Sequence, residues 1–204
     1  MMEPTAQNYY DAGYSIFPVM ADGTKQPAVR WESMQTKRCS QQQVTGWFRD
    51  NRYGIGLVGG AVSGGLVVID IETKDTCEKF QEACKDAWMQ MTVVETPGHV
   101  DGSCGRHFYY KTKVDFTRKV IGEGASAVDF RGAKHYSLAA GSPAACHPTG
   151  RTYQIIQGDI SSLPTLSKDA HEKLITAARE ITGSKPLSDY LPEETHDDRP
   201  GDAY

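Results

Sequence analysis

The sequence lacks long apolar runs and a recognisable leader, and each absence excludes a class of protein. Its longest apolar runs are far shorter than the roughly 20 residues that cross a bilayer. The N-terminal Met1-Met-Glu-Pro-Thr5 has no basic flank and no apolar core after it, so no secretory signal is predicted. We therefore expect a cytoplasmic protein with no membrane partner.

The cysteines are widely scattered, and their spacing excludes the common cysteine-based sites. The five cysteines are an odd number, and no two form a C-x-x-C pair: Cys39, Cys77, Cys84, Cys104 and Cys146. This pattern indicates neither a zinc knuckle nor a disulfide framework, so we predict reduced thiols and no zinc. A composite site of Cys104, Cys146 and His147 has no support from the spacing.

The sequence also has no G-x-x-x-x-G-K-[ST] and no H-E-x-x-H, although Gly54-Ile-Gly56-Leu-Val-Gly59 matches the dinucleotide pattern G-x-G-x-x-G. That pattern binds phosphate only where it leaves a strand and opens a helix. Here the apolar residues between the glycines are typical of a strand, and more glycines follow. We expect a strand and no dinucleotide cofactor.

The charge is unevenly distributed. The net charge of −4 argues against a generally basic nucleic-acid-binding surface, yet residues 104–135 contain seven Lys or Arg and three acids. Residues 187–204 contain six acids and one Arg. A basic middle suits a site for a polyanion, but on charge alone an ordinary solvated face is the preferred explanation.

The order of helical and strand patterns predicts an α+β fold. Helical patterns cover residues 4–12, 40–48, 75–91 and 167–183. Strand patterns cover residues 14–19, 53–58, 66–72, 92–96, 106–112, 126–130, 136–140 and 152–157. We expect an N-terminal αβ lobe packed on a mostly antiparallel sheet, one domain over residues 1–183, and an acidic linker over 184–204 towards a C-terminal region.

The strongest chemical pattern is an apolar run that ends in two alternate acids, Leu66-Val-Val-Ile-Asp70-Ile-Glu72. The run predicts a buried strand, in which a carboxylate is costly without a partner. Residues i and i+2 share one face of a strand, so Asp70 and Glu72 should point together. Two convergent carboxylates suit Mg²⁺ or Mn²⁺, whereas a strand that ends in solvent is the simpler alternative.

A third acid favours the metal hypothesis. The segment Ala127-Val-Asp129-Phe places Asp129 between apolar residues on a separate predicted strand. Three carboxylates from two strands can hold two cations, as in enzymes that transfer phosphoryl or nucleotidyl groups. The alternative is an acid that starts a turn, because Arg131-Gly132 follows it.

Cationic residues lie between and after these acids. A turn at Ser103-Cys-Gly105 leads into an aromatic strand that starts with Arg106 and His107, a pattern that suits a triphosphate. The later segment supplies Arg131 and Lys134 and ends in a Gly-Ser-Pro turn, whose Ser142 hydroxyl is a candidate contact to phosphate or ribose. We interpret three other histidines as structural: His99, His135 and His147. Of these, His135 is the first candidate for a functional role, because it is near Asp129 in the sequence.

In their order and spacing, these motifs resemble the bifunctional primase-polymerase domain of the archaeo-eukaryotic primase superfamily. The resemblance rests on Val67-Val-Ile-Asp70-Ile-Glu72, Ser103-Cys-Gly-Arg106-His107-Phe-Tyr, Val128-Asp129-Phe-Arg-Gly132 and Ala140-Gly141-Ser142-Pro143. Early segments also match, and the resemblance covers nearly the whole chain to about Gln157: Gly13–Pro18, Lys25–Pro27, Gly54–Gly56 and Glu95–Gly98.

The resemblance implies a two-lobed core with an RRM-like second half, which starts or extends primers on single-stranded DNA with NTP or dNTP. Such cores often belong to phage or plasmid replication proteins that carry a C-terminal helicase, in a bacterial or archaeal host. It further implies metal ligands, two Mg²⁺ or Mn²⁺ ions, and residues that contact the nucleotide. The implied ligands are Asp70, Glu72 and Asp129; the implied nucleotide contacts are Arg106 and His107, with Ser142, Lys134 and Arg131 nearby.

Two other functions are compatible with the sequence. A non-catalytic RRM-like module would bind single-stranded nucleic acid without metal, by stacking bases on Phe108, Tyr109 and Tyr110. A metal-dependent nuclease would use the same acids to position water. Nucleotidyl transfer is the first hypothesis, because it accounts for the acids and the cations together.

Overall fold

The structure, a computed structural model, describes residues 4–98 and 104–184 and has the predicted α+β architecture. Its strands are β1 Ser15–Val19, β2 Gly54–Val58, β3 Leu66–Ile71, β4 Thr92–Glu95, β5 Arg106–Thr112, β6 Arg118–Ile121, β7 Val128–Arg131, β8 Tyr136–Leu138, β9 Gln154–Gln157 and β10 Thr165–Leu166. Its helices are α1 Ala6–Asp11, α2 Gln41–Phe48, α3 Lys74–Ala83, α4 Lys85–Trp88 and α5 Lys168–Thr182.

The larger sheet places the acidic strand at its centre. Its strand order is β6-β7-β3-β5-β4-β9, with antiparallel neighbours throughout, and the short β10 pairs with β5 in parallel. Strand β3 is therefore hydrogen-bonded on both sides, to β5 and to β7. A residue at the end of β3 has protein on both flanks instead of lying at a free edge.

The smaller sheet forms the N-terminal lobe. It has the antiparallel order β1-β2-β8, and helices α1 and α2 contact β1. Helix α2 begins after Ser40, whose hydroxyl accepts from the Gln43 N–H while the Gln43 side chain accepts from the Ser40 N–H, and the two residues form a capping box. The G-x-G-x-x-G segment forms β2, followed by a short 3-10 turn at Ala61–Ser63, which confirms the strand interpretation.

The two faces of the larger sheet pack into different cores. Leu66 and Val68 of β3 belong to the core shared with the smaller sheet, whereas Val67 and Ile69 belong to the core formed with α3 and α5. Because side chains alternate along a strand, Asp70 lies on the same face as Leu66 and Val68. That face is the one that the N-terminal lobe partly covers.

One predicted helix differs in both its start and its continuity. The sequence Asp75-x-x-Glu78 resembles a capping box but does not form one: Thr73 is the N-cap, with extended backbone and a hydroxyl that accepts from the Thr76 N–H. The single predicted helix over 75–91 is two helices, because the backbone leaves the helical region at Cys84 with φ −121°.

Several features fall outside the expectations or outside the described residues. The sequence pattern does not predict β6 or β10. The linker expected over 184–204 is described only at Ser184, and His99 and Ser103 also lie outside the described ranges. No helix within the described ranges is long and apolar enough to cross a membrane.

Candidate active site

Strand register brings two of the predicted acids and the predicted histidine together. On β3, Asp70 pairs with His107 of β5 on one side and with Asp129 of β7 on the other. Directly opposed residues of antiparallel strands place their side chains on the same face, with Cβ atoms about 5 Å apart. The three side chains therefore form one row across the face that the N-terminal lobe partly covers.

Two arginines neutralise the row. The Arg131 guanidinium bridges two strands: its Nη2 lies 2.7 Å from Asp70 Oδ2, and its Nε lies 2.8 Å from Asp129 Oδ2. Arg118 of β6 binds Asp129 in a bidentate manner, at 2.9 Å through Nε and 2.8 Å through Nη2. Two carboxylates directly opposed on adjacent strands would repel each other, and the bridging guanidinium offsets that repulsion.

These contacts determine how the acids ionise. Burial alone would raise the pKa of Asp70, but the neighbouring His107, Arg131 and Lys25 outweigh it and hold the pKa well below its usual range. Burial likewise opposes ionisation of Asp129, and its hydrogen bonds from the two arginines lower its pKa overall. Both groups are carboxylates at neutral pH, which is the form that binds metal ions.

His107 is fixed from both of its ring nitrogens. Its Nε2 lies 3.4 Å from Asp70 Oδ1, and its Nδ1 lies 3.3 Å from the Tyr109 hydroxyl. The Tyr153 ring packs beside the imidazole at 5.6 Å between centroids. The histidine is 3% exposed, so its orientation is set by the surrounding side chains.

A cavity of about 200 Å³ opens beside Asp70 and His107. Its lining combines residues of both lobes with the segment that follows β8: Lys25, Asp70, Glu72, Thr96, Gly98, His107, His147, Pro148, Thr149 and Tyr153. The charged groups therefore face a space that a small molecule can enter.

Glu72 reaches this cavity from just beyond the strand. Strand β3 ends at Ile71, and Glu72 is exposed. The backbone here is closely packed, since a Cβ on Gly105 would lie 2.1 Å from the Ile71 carbonyl oxygen and 2.7 Å from Glu72 Cα. Glycine at position 105 is what allows β5 to begin against the end of β3.

Three of the predicted nucleotide contacts lie elsewhere or are exposed. Arg106 alternates with His107 and lies on the opposite face, where its guanidinium donates to Gln81 of α3. Ser142 is 2% exposed, and its Oγ accepts from the Ile55 N–H at 2.9 Å. Lys134 is exposed in the turn between β7 and β8, with φ +63°. The structure thus brings Arg131 to the acids, and it does not bring Arg106 or Ser142 there.

The donor set fits a divalent cation in its chemistry. Carboxylate oxygens from Asp70, Glu72 and Asp129 are the hard ligands that Mg²⁺ and Mn²⁺ prefer. The present side-chain arrangement does not gather them: in residues 4–98 and 104–184, no three His, Cys, Asp or Glu side chains are placed to hold one ion. Arg131 lies between Asp70 and Asp129, so metal binding to both requires this guanidinium to move.

Sequence reasoning missed several residues of the site. Arg118 belongs to the unpredicted β6, whereas Lys25 comes from a loop of the N-terminal lobe. Tyr153, His147 and Thr149 follow β8, and the His147 Nδ1 lies 2.9 Å from the Thr149 hydroxyl. Of these, only Lys25 carried a sequence signal, in the family-like Lys25–Pro27 segment.

All five cysteines are free thiols.

Comparison with protein families gives a match over most of the chain. The sequence model of the family described as bifunctional DNA primase/polymerase, N-terminal, matches residues 6–166. This span contains every strand of both sheets, and it includes every residue of the row and of the cavity lining. Among curated proteins, none matches the chain.

Proposed function

Since the chain belongs to the bifunctional DNA primase/polymerase family, we propose that it synthesises or extends primers on a single-stranded DNA template at the row formed by Asp70, Asp129 and His107. The observation that carries the proposal is the register that places these three side chains side by side, next to a cavity of about 200 Å³. In the family, the substrates are DNA and nucleotides.

In this proposal Asp70, Glu72 and Asp129 hold two Mg²⁺ or Mn²⁺ ions. Bound there, the metals would supply activation of the primer 3′-hydroxyl and stabilisation of the departing pyrophosphate. Asp70 and Glu72 line the cavity, and Asp129 lies opposite Asp70 on the adjacent strand, so the three acids suit this task better than acids scattered over a surface.

The protein side chains contribute orientation and charge. His107 is held between Asp70 and Tyr109, so its position relative to the cavity does not depend on the substrate. Arg131 and Arg118 reduce the repulsion that three carboxylates would otherwise exert on an incoming triphosphate. The N-terminal lobe contributes Lys25 to the lining of the cavity.

Substitution of Asp70 by Asn tests the proposal. The amide keeps the size of the side chain but removes a charge that the metals require, so primer extension should fall by roughly 100-fold or more. The assay combines the protein, Mn²⁺, a primed and an unprimed single-stranded template, and labelled nucleotides. Circular dichroism should show that the fold is retained.

The matched control is Asp75→Asn. Asp75 is an exposed acid of α3, a helix that packs on the opposite face of the sheet from the row, and it pairs with Lys79 at 2.8 Å. This variant should extend primers as the wild type does. Undiminished extension by Asp70→Asn would exclude the proposed site, and shortened products from the wild type would favour the nuclease alternative.

The non-catalytic binding alternative loses its structural basis. It requires the aromatic residues of β5 to stack on bases, but Phe108, Tyr109 and Tyr110 are all buried, at 0%, 1% and 0% exposure. Phe108 and Tyr110 pack under α3 and α5, and Tyr109 packs under the N-terminal lobe. Buried rings cannot offer a stacking surface to single-stranded DNA.

A further inference from the structure

Because Arg106 does not lie at the site, the proposed triphosphate lacks the cation that was expected to bind it. Arg106 lies on the far face of the sheet with Gln81, and Arg118 and Arg131 are both bonded to Asp129. Among the described residues that line the cavity, one further cation is present: Lys25, which lies in the loop after β1. Within the described part of the chain, its ammonium forms no ion pair within 4.0 Å.

The backbone around Lys25 is fixed in an uncommon conformation. The loop is closed by hydrogen bonds from the Met20 N–H to the Gln26 carbonyl at 2.8 Å and from the Ala28 N–H to the Pro18 carbonyl at 2.9 Å. The Tyr136 hydroxyl of β8 donates to the Lys25 carbonyl at 2.8 Å. Lys25 itself has φ +59°, a left-handed conformation that costs a non-glycine residue about 1 kcal/mol. Such strain is retained mostly where a side chain must be aimed.

The electrostatics of Lys25 favour an additional anion. Its side chain is half-buried, and burial lowers its pKa; Asp70 and Glu72 raise the pKa, Arg131 lowers it, and the net direction is down. The two nearby carboxylates therefore do not fully compensate the desolvated ammonium. A bound polyanion would supply the missing negative charge.

We propose that Lys25 binds the β- and γ-phosphates of the incoming nucleoside triphosphate, which is the role that the sequence pattern had assigned to Arg106. The proposal deepens the proposed function and rests on it for the identity of the ligand. Its basis is the cavity that Lys25 shares with Asp70, Glu72 and His107, together with the loop that fixes its backbone. Because Lys25 belongs to the N-terminal lobe and the acids to the larger sheet, a triphosphate would be gripped from both lobes.

Equilibrium binding of a nucleoside triphosphate and of the matching monophosphate tests this assignment. Both are titrated with Mg²⁺ present and DNA absent, by calorimetry, against wild type and Lys25→Met. The variant should bind the triphosphate about tenfold more weakly, as expected for one charge-assisted contact, and the monophosphate within about twofold. In extension assays KM for the nucleotide should rise by a similar factor, with kcat changed much less.

Two further variants keep the test interpretable. Lys25→Gly relieves the positive φ, so it should fold at least as well as the wild type and still lose the triphosphate preference. Lys173→Met removes an exposed lysine from α5, on the other side of the sheet, and should bind both nucleotides as the wild type does.

Equal weakening of both nucleotides, or no weakening, would overturn the assignment, since a lysine that only neutralises Asp70 and Glu72 does not distinguish phosphate number. Failure of the proposed function has a different signature. If the wild type binds triphosphate through Lys25 but extends no primer, the binding assignment stands and the polymerase proposal is excluded.

Discussion

At the residue scale, Arg131 limits what the acids can bind. Its guanidinium contacts Asp70 and Asp129 at once and lies 27% exposed, so it fills the space that a shared ligand of the two carboxylates would need. The same contact stabilises the negative charges of Asp70 and Asp129, which lie directly opposite each other on adjacent strands. Arg131 therefore acts as a resident cation, which a divalent ion must displace from at least one carboxylate.

This displacement predicts that Arg131→Gln binds Mn²⁺ more tightly than the wild type in the absence of nucleotide. Removal of a positive charge within 4 Å of both acids is worth about 1 kcal/mol even at high dielectric, or roughly fivefold in affinity. Electron paramagnetic resonance of free Mn²⁺ measures the change. Arg118→Gln, which contacts Asp129 alone, should show a smaller gain, and an unchanged or weaker affinity in Arg131→Gln would contradict the prediction.

The residue scale also shows where sequence reasoning succeeds. Alternation along an apolar run is enough to place Asp70 on one face. The same rule, applied to β5, separates Arg106 from His107, so the expectation that both contact the nucleotide was wrong for Arg106. The bridge from Arg131 is not visible in the sequence, because it depends on which strands are neighbours. The position of Lys25 depends on a loop that folds back from a different lobe.

At the element scale, the start of β5 depends on one glycine. Gly105 lies so close to Ile71 and Glu72 that any Cβ would overlap backbone atoms. Register across β3 and β5 places His107 beside Asp70, so a shift of this end of β5 also moves the histidine.

Gly105→Ala should therefore lose both stability and activity. The contact of 2.1 Å with a backbone oxygen cannot be relieved by a side-chain rotation, and overpacking of this kind costs about 1–3 kcal/mol. Urea unfolding measures the loss, and primer extension should fall with it. Gly46→Ala is the control: it lies in α2 with nothing within 4 Å of the added Cβ, and it should gain about 0.5–1 kcal/mol. Equal stability of the two variants would contradict the packing argument.

Element boundaries were predictable where the chain carries its own signals. Ser40 and Ser167 as N-caps and Gly183 as a left-handed C-cap mark helix ends that the structure confirms. Strand β6 has no such signal: it contains Arg118-Lys-Val-Ile121, half of it charged, and it lies at a sheet edge. Edge strands with charged residues lack the apolar alternation by which strands are recognised.

At the scale of the whole molecule, the two faces of the larger sheet have separate tasks. One face carries the row of charged groups under the N-terminal lobe, and the other packs on α3 and α5 in an apolar core. His171 of α5, which is 1% exposed, packs against this second core beside Phe116 and Phe130. Its Nδ1 lies 2.7 Å from the Tyr110 hydroxyl, and its Nε2 has no hydrogen-bond partner among the described residues.

His171 makes the stability of the fold depend on pH well above the range in which the carboxylates titrate. Burial lowers the pKa of His171 below the value of 6.5 that it has when exposed; Glu172 raises it and Lys119 lowers it further. The unfolded chain therefore binds the proton first as the pH falls, and the contribution of a neutral His171 to stability is lost progressively below about pH 6.5. Above that pH, the contribution is complete.

Replacement of His171 by Phe should flatten this dependence. Urea unfolding between pH 8 and pH 5 should show a smaller fall in the free energy of unfolding for His171→Phe than for the wild type, because no proton is taken up at that position. Tyr110→Phe removes the same hydrogen bond but keeps the buried imidazole, so it should be less stable at every pH and retain the wild-type slope. If His171→Phe keeps the full slope as well, the proton is taken up elsewhere, and the helix-side core contributes nothing to the pH dependence. A flattened slope with unchanged primer extension at neutral pH would show that the two faces of the sheet can be altered independently.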